Sequence, residues 1–144
     1  MNWKTGIAVL FACAIMPAQC FAAGATALGE PAQIAKDGVA IFTAVKMRSF
    51  DEARKRALDG CKNLSTASTT ARALCKIVAA FENQCVAQAL DPQNGTPGFG
   101  WAIARNSTEA RRQALINCRS TAGPTRQDAC IIPKTGLWCD GSAK

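Results

Sequence analysis

The stretch Ser49-Phe50-Asp51-Glu52-Ala53-Arg54-Lys55-Arg56-Ala57-Leu58-Asp59-Gly60-Cys61 is written a second time, with changes, as Asn106-Ser107-Thr108-Glu109-Ala110-Arg111-Arg112-Gln113-Ala114-Leu115-Ile116-Asn117-Cys118. Overlaid with Ala53 on Ala110, the copies share Glu, Ala, Arg, Ala, Leu and Cys. Each opens on a residue, Ser49 or Asn106, whose side chain accepts a hydrogen bond from the free N–H groups of a first helical turn. Glu stands three places on, which is the capping-box spacing. Ala53, Ala57, Leu58 and Cys61, like Ala110, Ala114, Leu115 and Cys118, fill one stripe of a helix surface. The pattern predicts two helices, 49–61 and 106–118, each packing one face inward and ending on a cysteine.

The neighbouring segments follow the same order in both halves. Val39-Ala40-Ile41-Phe42-Thr43-Ala44-Val45 is rich in branched and aromatic residues and reads as a strand before the first helix. The Ser/Thr run at 63–70 favours loop, because its side chains compete for backbone hydrogen bonds. Segment 74–81 then reads as a strand, 82–84 as a tight turn and 85–90 as the hairpin partner. Asp91-Pro92-Gln93-Asn94-Gly95-Thr96-Pro97-Gly98 carries the strongest breakers in the chain and divides the halves. Segment 99–105 is the second leading strand, and 129–132 with 137–139 a shorter second hairpin. The expected fold is α+β: two pseudo-repeated strand–helix–hairpin halves, 38–90 and 99–140, sharing one small core. Residues 23–37 show no steady period and read as a flexible N-terminal arm, and 141–144 as a tail.

The first segment reads as an address. Lys4, the apolar run from Gly6 to Met16, Pro17 and then Cys20-Phe21-Ala22 form a signal peptide over 1–22, with cleavage expected after Ala22. Leu10-Phe11-Ala12-Cys13 resembles a lipoprotein box, but Phe11 is bulky for it. Pro17 and Gln19 leave an apolar span shorter than the ~20 residues a bilayer crossing needs. The chain's eight cysteines become six on cleavage: Cys61, Cys75, Cys85, Cys118, Cys130 and Cys139. An even set in an exported chain implies disulfides, and there is no Cys-x-x-Cys and no histidine to build a usual zinc site. Six cysteines allow fifteen pairings. Symmetry between the halves favours Cys61–Cys75, Cys118–Cys130 and Cys85–Cys139, the last crossing from one half to the other. Such staples matter where alanine supplies much of the interior.

The order of these pieces resembles the exported bacterial family known as domain of unknown function 4189 (DUF4189). The likeness is carried by a strand with Gly100-Trp101-Ala102, the Glu-Ala-x-x-x-Ala-Leu-x-x-Cys helix and the later cysteines, over about residues 38–140. The first half departs from it with Ala40-Ile41-Phe42 in place of a tryptophan strand. The resemblance implies a secreted or periplasmic protein and brings no established active site. Some similar proteins are thought to be protective or host-directed factors.

Composition narrows the chemistry. With no histidine and no tyrosine, mechanisms that use imidazole as base are excluded. Glu52 and Glu109 could form a glycosidase-like carboxylate pair, but helix capping already accounts for both. No catalytic, metal or cofactor residues stand out. Loss of Lys4 takes the net charge from +7 to +6, which favours anionic partners such as nucleic acid, membrane surfaces or acidic wall polymers; the expected partner is a protein or an anionic envelope component. No nucleic-acid motif accompanies the charge. The candidate partner-binding residues are Arg54 and Arg111, at the edges of the helix stripes, with Phe99 and Trp101 beside the connector. The leading expectation is a non-catalytic binding protein, an inhibitor or protective factor. A cationic binder of wall polymer or membrane phosphate is the second, and a carboxylate-only hydrolase the third.

Overall fold

The structure, a computed structural model, describes residues 22–144. The apolar run of the expected signal peptide and Cys13 lie outside the described residues. In chain order the elements are β1 (Ala23–Gly29), α1 (Ile34–Asp37), β2 (Ala40–Met47), α2 (Phe50–Lys62), α3 (Thr69–Ala73), β3 (Lys76–Phe81), β4 (Cys85–Leu90), β5 (Phe99–Ala104), α4 (Ser107–Thr121) and β6 (Leu137–Cys139), with a 3₁₀ turn at Gln127–Ala129. The strands form two three-stranded antiparallel sheets, ordered β2-β1-β3 and β5-β4-β6. In each, the first strand of the unit lies in the middle.

Both principal helices start where the capping pattern puts them. The Ser49 hydroxyl accepts the Glu52 N–H at 3.1 Å, and the Glu52 carboxylate reaches back to the Arg48 N–H at 3.1 Å. The Asn106 side-chain oxygen accepts the Glu109 N–H at 2.9 Å. Ala53, Ala57 and Cys61 are buried against Ala25, Ala27, Ala40 and Ala44, with Phe42, Leu58 and Ile77 at the margin. Ala110, Ala114 and Cys118 are buried against Ala87, Ala89 and Ala102. Alanine on both surfaces lets helix and sheet approach closely. At Gly100 the approach is backbone to backbone: an added Cβ would lie 2.6 Å from the Ala114 carbonyl oxygen.

Four expectations are corrected. Residues 23–29 are no loose arm but the fully buried central strand of the first sheet. Its Ala-Gly-Ala-Thr-Ala sequence scores poorly for strand, yet a position under a close-packed helix needs small side chains. With β1 in place, the 74–81 and 85–90 strands are not a hairpin: β3 pairs with β1, while β4 is the centre of the other sheet. The boundary between halves therefore falls at 82–84, where Asn83 has φ 52°, and not at 91–98. In the second half, 129–132 and 137–139 do not pair with each other. Ile131 bridges Leu90 and β6 pairs with β4, so both lie along β4 as an edge interrupted by Pro133, which has no N–H to give a ladder.

The moved boundary changes the disulfide logic. The structure joins Cys61 to Cys75, Cys118 to Cys130 and Cys85 to Cys139. Cys85 now belongs to the second half, directly opposite Cys139 across β4 and β6, so no bridge crosses between the halves. In the first sheet the matching end pair is Gly24 opposite Phe81, and the Phe81 ring fills the space a Cβ on Gly24 would need. The buried alanines and cysteines gather in two clusters, one beneath each helix.

The halves meet through their remaining sheet faces. Side chains alternate along a strand, so Thr26 and Leu28 point away from α2, and Val86 and Gln88 away from α4. All four are buried. The result is a helix–sheet–sheet–helix stack. Its middle layer contains a hydroxyl pair, Thr26 Oγ1 to Thr43 Oγ1 at 3.0 Å.

Candidate functional site

A cleft of about 690 Å³ is lined by Leu28, Pro31, Ala32, Ile34, Leu74, Val78 and Trp101, with Glu30 and Lys76 at its polar positions. Trp101 comes from β5 of the second half and the others from the first, so neither half forms the cleft alone. Leu74 is 47% exposed, one of the few large apolar side chains left open to solvent. Trp101 is half-buried. Its carbonyl accepts the Asn117 side-chain N–H at 2.8 Å, which ties β5 to α4 at this point. Directly across the β4–β5 ladder from Trp101 stands Gln88, whose buried Nε2 has no hydrogen-bond partner among the described residues.

Ile34 is shared with a second recess of about 400 Å³ between the α1 segment and the 91–98 connector. The connector is well fastened. Asp91 accepts the Gln93 N–H at 3.0 Å, its own N–H reaches the Gly98 carbonyl at 2.9 Å, and Gly95 turns the chain at φ +80°. Arg126 grips Asp91 with both Nε and Nη2, the latter at 2.7 Å from Oδ1. The Arg126 hydrogen bond, opposed by burial and aided by the Gln93 N–H, lowers the Asp91 carboxyl to about 2. The same bond raises the Arg126 pKa.

The residues singled out from sequence are placed apart. Phe99 is buried at the base of the connector recess; the Thr121 hydroxyl accepts its N–H at 3.0 Å and lies 2.9 Å from its carbonyl oxygen. Arg54 is exposed on α2, 3.4 Å from Asp51 and 5.8 Å from the centre of the Phe50 ring. Arg111 is exposed on α4. These helices form the two outer layers, so the two guanidinium groups serve separate faces. Trp101 alone of the four lines the cleft between the halves.

Glu52 and Glu109 are also separated. Glu52 caps α2 and borders a shallow depression with Met47, Lys55, Arg56 and Asp59, all from the first half. Glu109 is held by Arg112, Nε to Oε2 at 2.9 Å, and that bond lowers its pKa. Both carboxylates are engaged in helix structure. Among the described residues no group of three or more His, Cys, Asp and Glu is placed to hold a metal ion. No described helix is long and apolar enough to cross a membrane. Three disulfides fit a protein of an oxidising compartment.

Sequence reasoning missed Asp91–Arg126, the cleft and Gln88. Asp91-Pro92 carries the mark of a side chain that folds back onto its own turn. Arg126 carries no local mark, since its partner is distant in sequence. The family described as Domain of unknown function (DUF4189) matches residues 24–134. That match begins at β1, the strand the sequence reading left out. No curated protein matches the chain, and no solved structure matches it.

Proposed function

This chain belongs to the DUF4189 family, and on that premise we propose that it is a non-catalytic binding protein, exported to the periplasm or beyond, which takes its partner in the cleft at Trp101. The observation that carries this reading is the composition of the cleft: an aromatic ring from the second half and six apolar side chains from the first, with Glu30 and Lys76 as opposite charges. Binding sites are concave and mostly apolar, with a few polar groups that set orientation. An extended protein segment, with apolar side chains for the cleft and a charged group of either sign for Glu30 or Lys76, suits these surroundings. Inhibition or protection of a secreted protein is the role such capture supports.

The cationic-binder reading draws on the net charge, but the basic residues of α2 stand among Asp51, Glu52 and Asp59. Lys55 and Arg56 share their depression with Glu52 and Asp59. The experiment selects phage-displayed peptides on the folded protein and titrates the synthetic winners by calorimetry, with Trp101→Ala as control. Saturable binding that Trp101→Ala abolishes and that varies little with salt supports the cleft. Binding that survives Trp101→Ala and collapses with salt favours the envelope binder. Turnover of a wall polymer that Glu52→Gln and Glu109→Gln abolish without unfolding would make the protein a hydrolase.

A further inference from the structure

Asp140 is fully buried. Its Oδ1 accepts the Lys46 N–H at 2.6 Å, while its Oδ2 is buried with no partner among the described residues. Removing a carboxylate from water is costly unless a cation and hydrogen bonds replace the water. The Lys46 ammonium does not do so, because its side chain is exposed. The start of β1 lies close to the residues that flank this carboxylate. Ala23 pairs with Met47, next to Lys46, in a bulged register where Lys46 takes φ +61°. Next along the chain from Asp140, the Ala22 Cβ lies 2.7 Å from where a Cβ on Gly141 would sit.

We infer that Asp140 is the docking site for the α-ammonium group of Ala23, created when the Ala22–Ala23 peptide bond is hydrolysed. This rests on the export reading above. Water adds across the bond, Ala22 leaves with the leader as a carboxylate, and the Ala23 amine takes up a proton. The new cation then pairs with Oδ2, while Oδ1 keeps the Lys46 N–H. Because Asp140 follows β6 and Ala23 begins β1, the ion pair joins the two halves where no disulfide does. Processing thus completes the fold: the uncleaved chain carries an amide where the mature chain carries a charge.

The test compares chains that begin at Ala23 with chains carrying one extra glycine before it, each with Asp140 and with Asp140→Asn, which retains the Oδ1 acceptor. The Ala23 form is expected to melt about 5 °C or more above the extended form, and Asp140→Asn to erase that difference. Its α-amine is expected to acylate about tenfold more slowly in the folded wild type than in Asp140→Asn. Equal melting of the two wild-type forms, or a difference that persists in Asp140→Asn, would overturn the pairing. If Asp140→Asn does not fold, an Ala23 amine that acylates as fast in folded wild type as in urea also overturns it. The mass of envelope-purified protein tests the export premise separately, since a start other than Ala23 sinks that premise at this residue while the melting comparison still judges the pair.

Discussion

Replacing Gly100 with alanine tests the close approach on which the second half is built. In most strand positions this exchange is neutral or stabilises by about 0.4–1 kcal/mol, because the unfolded chain loses freedom. Here an added Cβ would lie 2.6 Å from the Ala114 carbonyl oxygen and 2.7 Å from the Asn117 carbonyl carbon, with the Cys118 nitrogen closer still. All three obstacles are helix backbone, which cannot rotate aside as a side chain can. Helix α4 must lift from β5, opening gaps around Ala110, Ala114 and Cys118, and overpacking of this kind costs about 1–3 kcal/mol. On a domain of this size that lowers Tm by about 5–10 °C. The lift also strains the Asn117 bond to the Trp101 carbonyl, so Trp101 emission should shift with it. Urea unfolding and fluorescence of Gly100→Ala beside wild type measure both. An unchanged or raised midpoint would refute the reasoning, since backbone entropy alone predicts that sign.

Arg126→Gln removes the cation that lowers Asp91. A carboxyl depressed in the fold contributes stability that is present above its unfolded value, 3.8, and lost as pH falls toward about 2. Wild type should therefore lose stability between pH 4 and 2 more steeply than Arg126→Gln, as urea midpoints across that range will show. Material taken from an oxidising compartment should show no titratable thiols after denaturation without reductant, by mass after alkylation; six alkylated cysteines would contradict the bridges. Serine at both Cys118 and Cys130 opens a loop of sequence separation 12 and should cost about 3 kcal/mol by chain entropy, read from the denaturant midpoint. Asn106→Ala removes the α4 cap and should cost about 1 kcal/mol in the same measurement.

How far each feature could be read from sequence follows how local its cause is. The α2 and α4 starts were legible because a cap and its N–H partner lie within one turn of chain. The helix stripes were legible because burial repeats with the helical period. The wall of the cleft was legible only in part. Trp101 stood out as an aromatic on a strand, but Leu28, Leu74 and Val78 come to it from the other sheet. Phe99 stood out on the same grounds and is buried, its backbone held by Thr121, which is distant in sequence.

By itself, the amino-acid order determined two capped helices, their inward alanine faces, a set of cysteines that can pair evenly, and the absence of imidazole chemistry. Each of these depends on residue identity or on spacings within a few turns of chain. Tertiary structure alone decided that 23–29 is a strand, that it takes β3 from the expected hairpin, and that the halves divide before Cys85. An Ala/Gly-rich segment has too weak a local preference to announce itself as a strand. Its conformation is set by two neighbouring strands and a helix close above them, and only the assembled fold brings those together.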